Sequence, residues 1–480
     1  MMPIKAGATR TVCTNRRRPR GARGAPRRAV LTALLALLTL LLLASVAQAY
    51  APGHLIWAKR IGTSTSEAGA WAVARGPDGA VAICGWRDVP PTGQMPLVAK
   101  YTAAGRKWVW TYPTAGFASA VAFDRAGNVY VVACVNPGPG GDFVVIKYSA
   151  AGVWQWTTAP YDGPGGFYDW ARLIAVDKSG NVIVVGWSPH DGDEGPIISL
   201  LKYDANGAPA WPAAVRYDPL ESDPDAHAVR PSDVAVDGAG DIYVSSTSTY
   251  VRDGHYVDSG LVLKFAGVDG SRLARWTYKP LGAPESTFSD IAVRGSTVVA
   301  VGATSDPLDE GAGDALVVKF DLSLQQTYRR EWDVVATRAS FAQAAIDGAG
   351  NVYVTGMQYV PGTRKTKVVT LKLGPKLSRA LWMATYRPRS SYAQGAFIAR
   401  DGAGNVFVSG MTATGGRDCI LTMKYSPSGA RKWLRTWSGG GAHTNPPCGM
   451  VLGAKGDIFV GGSAEAVGGF RQAVLLRYQR

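Results

Sequence analysis

Strands of alternating β-branched and aromatic residues recur along the chain, each directly after a short turn of Asp and Gly. The clearest copy is DGAGNVYVTG at residues 347–356, and weaker or equal copies recur at intervals of 48 to 60 residues. Asp and Gly supply the side-chain hydrogen bonds and the positive φ of a tight turn, and the alternating residues predict a strand. The turn glycines of the eight copies are Gly79, Gly127, Gly180, Gly240, Gly295, Gly350, Gly404 and Gly456.

The repeat is built on a pattern of four predicted strands. A short strand of small residues precedes the turn, and the strand after the turn is followed by one ending in a cation and an aromatic residue, such as Lys147-Tyr148. A strand with Trp comes last, as at Trp154. Four short antiparallel strands in eight copies, without helical periodicity after residue 49, predict an all-β fold. We expect a single β-propeller of eight four-stranded blades, with seven blades as the alternative.

The two ends of the repeat region complement each other. The last repeat stops at Arg477-Tyr478 and lacks its fourth, Trp-containing strand. HLIWAKRIG at residues 54–62 resembles such a fourth strand but is not preceded by the other three strands of a repeat. We predict that this N-terminal strand joins the last blade and places Trp57 beside the strand that ends at Tyr478. The ring would then have no open sheet edge.

Residues 1–49 differ in composition from the rest of the 480-residue chain. They hold nine Lys and Arg, no acid, and then a Leu-rich segment at 29–49 that ends Ala47-Gln48-Ala49. This is the pattern of an export signal cleaved after Ala49, which leaves the propeller at residues 50–480 and predicts a secreted, periplasmic or cell-surface protein. The alternative is an uncleaved membrane anchor, since about 20 apolar residues can span a bilayer.

Removing that segment lowers the formal net charge from +15 to +6. A mildly basic domain without clustered cations is not expected to bind nucleic acid, and we expect a monomer. Four cysteines remain: Cys84, Cys134, Cys419 and Cys448. Export permits disulfides, and Cys419 with Cys448, on consecutive strands near the C-terminus, is the predicted pair. The alternative is four small buried thiols.

The phrase D-x-x-G-N-V-Y-V-x-G, followed by V-x-K-Y, a Gly turn and Trp, resembles the bacterial SBBP-type β-propeller repeat and, more distantly, NHL repeats. The resemblance covers nearly all of residues 54–480. It implies a secreted or cell-surface propeller from a family whose members mostly lack an assigned activity. The repeat family implies seven blades, from which this chain departs.

Strand order assigns the loops to two rims. First-to-second and third-to-fourth connections share one rim and are short and similar, and we call it the constant rim. The other connections share the opposite rim and differ in length and composition, and we call it the variable rim. Loops on a rigid scaffold usually carry function, so the variable rim is the candidate site.

Acidic and aromatic residues concentrate on the variable rim. Asp191, Asp193 and Glu194 are candidate Ca²⁺ ligands, because this ion prefers six to eight oxygens, although turns are rich in Asp for their own reasons. No other cofactor is expected. Flat rings beside carboxylates suit a carbohydrate or protein ligand, although Trp170 and Trp187 alternatively pack between blades. The candidate ligand-binding aromatics are Tyr168, Trp170, Trp187, Tyr250 and Tyr256.

Known catalytic motifs are absent from the sequence. If a reaction occurs, His227 with Asp225, near His190 and His255, would be its general acid and base on a glycan or ester. The alternative is that these are solvated loop histidines. Two hypotheses follow: a non-enzymatic binding module for a polysaccharide, peptide or partner protein, or a propeller hydrolase or lyase that acts at the same rim.

Overall fold

The computed structural model describes 32 β-strands and no helix in the part of the chain that it covers. The described residues are 52–480 except 64, 137–140, 164–165, 190–194, 222–224, 253, 279–284, 306–312, 333–337, 364, 389–391, 442, 445 and 467. No helix within these ranges is long and apolar enough to cross a membrane.

The strands form eight antiparallel four-stranded sheets, which are the blades of a β-propeller. In blades 1 to 4 the strands run outward from the axis in chain order. Blade 1 consists of β2 (Ala68–Arg75), β3 (Val81–Val89), β4 (Gly93–Thr102) and β5 (Gly105–Thr111), and blade 2 of β6 (Gly116–Phe123), β7 (Val129–Val135), β8 (Asp142–Tyr148) and β9 (Trp154–Thr157). Blade 3 consists of β10 (Trp170–Val176), β11 (Val182–Pro189), β12 (Pro196–Tyr203) and β13 (Val215–Tyr217), and blade 4 of β14 (Ala226–Val236), β15 (Ile242–Arg252), β16 (His255–Phe265) and β17 (Arg272–Thr277).

Blades 5 to 7 repeat this order, and blade 8 takes its outer strand from the N-terminal end of the domain. Blade 5 consists of β18 (Glu285–Arg294), β19 (Thr297–Ser305), β20 (Ala315–Phe320) and β21 (Gln326–Trp332), and blade 6 of β22 (Ala339–Ile346), β23 (Val352–Tyr359), β24 (Thr366–Leu373) and β25 (Ala380–Tyr386). Blade 7 consists of β26 (Ala393–Arg400), β27 (Val406–Thr414), β28 (Arg417–Tyr425) and β29 (Arg431–Trp437), and blade 8 of β30 (Gly449–Leu452), β31 (Ile458–Glu465), β32 (Arg471–Tyr478) and β1 (Leu55–Ile61).

The closure of the ring is as predicted. Strand β1 pairs antiparallel with β32, and Trp57 lies opposite Arg477. The Gly53 N–H donates to the Gln479 carbonyl at 2.9 Å and the Gln479 N–H donates to the His54 carbonyl at 2.8 Å. The two chain segments therefore build the third-to-fourth turn of blade 8, and the prediction of eight blades is confirmed.

A recurring Asp organises the turn between the first and second strands in five of the eight blades. In blade 6, Oδ1 of Asp347 accepts the N–H groups of Ala349 and Asn351, while Oδ2 accepts the side chain of Asn351 and the hydroxyl of Tyr353. Burial alone would raise the pKa of Asp347, but these hydrogen bonds hold it below its usual value. The Asp, Asn and Tyr of the repeat thus form one structural unit.

Neighbouring blades are joined on the constant rim by the recurring Trp and Lys. The indole of Trp382 in blade 6 lies against Gly429 in the turn of blade 7 and donates to the Pro427 carbonyl at 3.0 Å. Lys147 of blade 2 donates to the Ala205 carbonyl of blade 3 at 2.7 Å. The repeated cation is therefore a structural link between blades.

The predicted disulfide between Cys419 and Cys448 is wrong, because both are free thiols. Cys419 lies on β28, the third strand of blade 7, whereas Cys448 immediately precedes the innermost strand of blade 8. The two positions therefore differ in distance from the axis. Cys448 lies near Cys84 instead: burial, and then the Cys448 thiol, raise the pKa of Cys84 well above its usual value.

The inner strands are bent by β-bulges, which aim residues at the axis. The pairing register shifts by one residue between Ala70 and Ala72 in β2, and between Ala171 and Leu173 in β10. The extra residue of a bulge is left out of the pairing, and the strand bends around it. Trp71 and Arg172 are these extra residues.

Candidate functional site

A partly open cavity of about 720 Å³ lies on the propeller axis, lined by the innermost segments of six blades. Small residues line much of it, because the inner strands converge here and have least room. Its lining residues are Ala70, Trp71, Ala72, Ser119, Ala120, Val121, Trp170, Arg172, Leu173, Ile174, Asp233, Val234, Phe397, Pro446, Pro447 and Cys448.

Five aromatic residues gather where this cavity meets the variable rim, and we call them the axial aromatic cluster: Trp71, Phe117, Tyr168, Trp170 and Trp187. The rings of Trp71 and Trp170 are nearly parallel, at an interplanar angle of 16° and a centroid distance of 6.1 Å. Trp187 also stacks on Trp170, at a centroid distance of 6.1 Å and an interplanar angle of 30°. Trp71 is 39% exposed. The cluster therefore presents an accessible flat apolar face to the cavity.

Phe117 and Tyr168 support this face from the side. The Phe117 ring lies 4.5 Å from Trp71 and 5.6 Å from Trp170, between blades 1 and 3. Tyr168 meets Trp170 edge to face at 5.7 Å and 80°. Such edge and offset contacts are the favoured geometries of aromatic pairs. Blades 1, 2 and 3 together thus hold the Trp71 and Trp170 rings in place.

One exposed cation accompanies the aromatic face. Arg172 lines the same cavity two residues after Trp170, and its side chain is exposed. It has no hydrogen-bond or ion-pair partner among the described residues. A guanidinium presents a planar fork of donors that matches a carboxylate. An anionic group in the cavity would therefore find a free partner.

A pair of carboxyl groups lies deeper in the ring. Asp233 of β14 lines the cavity, and Asp290 of β18 is buried behind it. The two side chains share a hydrogen bond, and each also accepts a backbone N–H from the next blade. Asp233 accepts from Ile291 at 3.2 Å and Asp290 accepts from Ala344 at 3.0 Å. The carboxyl pair therefore links the inner strands of blades 4, 5 and 6.

Burial raises the pKa of both carboxyl groups. The pKa of Asp290 lies well above its usual value, because burial and then the charge of Asp233 disfavour its ionised form. Burial also raises the pKa of Asp233, to about 6. Two carboxyls in direct contact cannot both ionise without large repulsion. The pair therefore favours a shared proton, with the Asp290 carboxyl as the donor to Asp233.

This pair predicts a pH dependence of stability. A carboxyl whose folded-state pKa is raised binds more protons in the folded state, so the free energy of unfolding is greatest below the unfolded-state pKa and falls as pH rises through the folded-state value. We expect a fall on the order of 2 kcal/mol between pH 5 and pH 7. Asp290→Asn, which keeps both hydrogen bonds without titrating, should flatten this slope.

The measurement is urea unfolding of the wild type and Asp290→Asn at several pH values from 5 to 7.5. Glu221→Gln, which changes an exposed acid in the β13–β14 connection, is the matched control and should keep the wild-type slope. The turn carboxylates with lowered pKa, such as Asp347, act in the opposite direction and only at lower pH. Equal slopes for wild type and Asp290→Asn would contradict the shared proton.

Three of the five predicted ligand-binding aromatics meet at one place. Tyr168, Trp170 and Trp187 belong to the axial aromatic cluster, although Trp170 also packs between blades. Tyr250 does not belong to it and is not available to a ligand, because it is fully buried and its hydroxyl accepts a hydrogen bond from Arg275. Tyr256 is 64% exposed but lies on blade 4, away from the cavity lining.

The candidate catalytic residues do not meet at the axis. His227 and His255 belong to the same blade, on β14 and β16. His227 packs against Tyr256 at 5.2 Å, and neither histidine lines the axial cavity. Asp225 is an exposed residue just before β14. His190, Asp191, Asp193 and Glu194 lie outside the described residues.

Sequence reasoning missed Trp71, Phe117, Arg172, Asp233 and Asp290. All five lie on inner strands, which the small-residue pattern marked as structural. A signal was present in the sequence: a large aromatic or charged residue interrupts a short strand otherwise composed of small residues, as in AGAWAVAR at residues 68–75. Such an interruption at the narrowest part of a propeller indicates a residue that faces the channel.

Several solved structures are similar to this chain. The chain is similar to Sqt1 from Chaetomium thermophilum, with 11% sequence identity and a TM-score of 0.52 over 89% of this chain and 99% of that one. It is also similar to the WD40 domain of SCAP from fission yeast (11% identity, TM-score 0.46, 88% and 98% coverage) and to the polysaccharide lyase Uly1 (10% identity, TM-score 0.49, 89% and 100% coverage). No family model and no curated protein matches the chain. Likenesses at this identity show the β-propeller fold alone.

Proposed function

We propose that this protein is a non-enzymatic binding module that holds an acidic polysaccharide at the axial aromatic cluster. The observation that carries the proposal is the nearly parallel, accessible pair of Trp71 and Trp170 beside the unpaired Arg172. The apolar faces of sugar rings pack on flat indoles, and a sugar carboxylate pairs with a guanidinium. The cavity of about 720 Å³ is large enough for a ligand of drug size.

A binding role fits the chemistry of the cavity better than a hydrolase or lyase. The described histidines lie away from it, and its acid pair is already engaged. In a retaining glycosidase the two carboxyl groups stand about 5 Å apart, with the glycosidic bond between them. Asp233 and Asp290 instead hydrogen-bond to each other and to backbone N–H groups, which leaves no space for a reacting bond.

We also propose that the chain is an exported SBBP-type repeat protein. The Asp, Asn and Tyr that define the resemblance hold one another in the turn of blade 6, so the motif has a structural reason. The basic, acid-free segment and the apolar run at residues 29–49 support export. Polysaccharides outside the cell would then be accessible ligands.

The test is titration of the protein with polygalacturonate and, as a neutral comparison, dextran, followed by tryptophan fluorescence and calorimetry. Trp71→Ala should weaken binding about tenfold, since it removes a stacking face. Arg172→Gln should remove the preference for the acidic polymer. Trp154→Ala, which removes an exposed Trp on the outermost strand of blade 2, is the matched control.

Unchanged affinity in Trp154→Ala together with the two losses would support the proposal. Equal affinities for Trp71→Ala and the wild type would contradict the site. Binding of neither polymer by the wild type would contradict the ligand class.

A further inference from the structure

Three carboxylates converge on the variable rim between blades 2 and 3, apart from the axial cavity lining. Asp142 is the first residue of β8, and Asp162 and Asp169 belong to the connection from β9 to β10. One ligand oxygen from each residue lies within 4.8 Å of those of the other two. Asp162 is exposed, Asp142 is half-buried and Asp169 is 0% exposed. Three negative charges are thus concentrated in a small, partly dry space.

The buried member of this cluster has an unused oxygen. Oδ2 of Asp169 accepts the N–H of Gly163 at 2.5 Å, whereas its buried Oδ1 has no partner with hydrogen-bond geometry among the described residues, although the nearby Ser188 hydroxyl lowers the pKa of Asp169 against the rise that burial causes. The nearby hydroxyl of Ser188 lies 2.9 Å from that of Ser199. A buried carboxylate oxygen without a partner is costly, and such exceptions in folded proteins call for an explanation such as an ion.

No cation among the described residues balances these charges. Asp142, Asp162 and Asp169 take part in none of the ion pairs formed between described side chains. Burial raises the pKa of Asp169 and of Asp142, and the charge of Asp162 raises both further. Within the described part of the chain, the three carboxylates are therefore held together without a positively charged side chain beside them.

The backbone holds the three residues at fixed positions. The Asp169 N–H donates to the Gly141 carbonyl at 2.8 Å, next to Asp142. On the other side of the loop, Tyr161 forms a bridge to Phe143, with its N–H 2.9 Å from the Phe143 carbonyl. The loop that carries Asp162 and Asp169 is thus fastened to β8 at two points, so the cluster is part of the folded scaffold.

We propose that Asp142, Asp162 and Asp169 bind a calcium ion that joins blade 2 to the entry of blade 3. Calcium takes six to eight hard oxygen ligands at about 2.4 Å, so ligand oxygens up to about 4.8 Å apart fit around one ion. Three carboxylates supply three ligands if each coordinates through one oxygen and up to six if each coordinates through both. The ion would neutralise the cluster and satisfy Oδ1 of Asp169. This inference does not depend on the proposed polysaccharide.

The experiment is a titration of the full chain with Tb³⁺, a luminescent calcium substitute, which Trp170 next to Asp169 would sensitise. Ca²⁺ should displace Tb³⁺ and Mg²⁺ should do so far less well, because Mg²⁺ requires a tighter octahedral shell. Asp162→Asn, at an exposed position, should weaken Ca²⁺ binding about tenfold or more by removing ligand charge. Glu221→Gln, which changes an exposed acid in the β13–β14 connection, should bind as the wild type does.

A second measurement separates loss of the site from misfolding. In the presence of a chelator, the melting temperature of Asp169→Asn should be no lower than that of the wild type, because a neutral amide replaces an unsatisfied carboxylate. Addition of Ca²⁺ should raise the melting temperature of the wild type and leave that of Asp169→Asn unchanged. Absence of Tb³⁺ luminescence in the wild type, equal competition by Mg²⁺ and Ca²⁺, or unchanged binding in Asp162→Asn would each overturn the calcium site.

Discussion

A chain that begins at Gly62 should lose about 5 kcal/mol of folding free energy relative to one that begins at Tyr50. The shorter chain lacks β1, in which Ile61 is buried and Leu55 and Trp57 pack on blades 8 and 1. Full burial of a large apolar side chain contributes about 1.5–3 kcal/mol. The melting temperature should fall by about 5 °C, and thermal unfolding of both chains measures it.

The open edge has a second expected consequence. Without β1, the backbone of β32 is unpaired along its outer side, and such an edge pairs with other chains. The shortened protein should form dimers or larger species in size-exclusion chromatography. A synthetic peptide of residues 52–62 should restore both the monomer and the melting temperature. Equal stability of the two chains would show that β1 does not close the ring.

The second large effect is expected at Gly429, where blade 7 meets the Trp of blade 6. Gly429→Ala should destabilise the protein by about 3 kcal/mol. Gly429 has φ +85°, which an Ala adopts at a cost, and an added Cβ would lie 2.7 Å from Cδ2 of Trp382. Gly416→Ala, at φ +75° in the β27–β28 hairpin of the same blade, has open space around the new Cβ. This control should lose only about 1 kcal/mol.

Urea unfolding of the two variants gives the comparison, and a double-mutant cycle with Trp382→Leu identifies the cause. The smaller side chain leaves room for the methyl group, so Gly429→Ala should cost about 1 kcal/mol in the Trp382→Leu background. Equal losses for Gly429→Ala and Gly416→Ala would show that the indole moves aside freely. The contact would then not hold the blades together.

The blades could be predicted from sequence because their signals are local. Asp347, Asn351 and Tyr353 lie within seven residues and form one turn, so the repeated motif by itself predicts the turn and the strand after it. Closure could be predicted as well, since an orphan Trp strand at one end matched a missing one at the other. Both inferences depend on strand alternation and turn chemistry, which neighbouring residues determine.

The site could be predicted only in part, because its geometry depends on departures from that alternation. A bulge shifts the side-chain pattern of a strand by one residue, and this shift places Trp71 and Arg172 on the cavity. Asp233 and Asp290 meet only because consecutive blades stand side by side. Tyr250 was assigned to the rim, but β15 extends to Arg252, so that Tyr250 is paired on both sides and buried.

The turn that Gly53 and Gln479 share decides how the molecule can be attached to a surface. Pro52 and Arg480 both leave the domain on the constant rim, whereas Trp71 and Arg172 face the opposite side. A label, a tether or a sensor chip coupled at either terminus would hold the propeller with its aromatic face directed toward solution. A short peptide joining the two termini, with new ends cut in another turn, would give a circular permutant with the same orientation of that face.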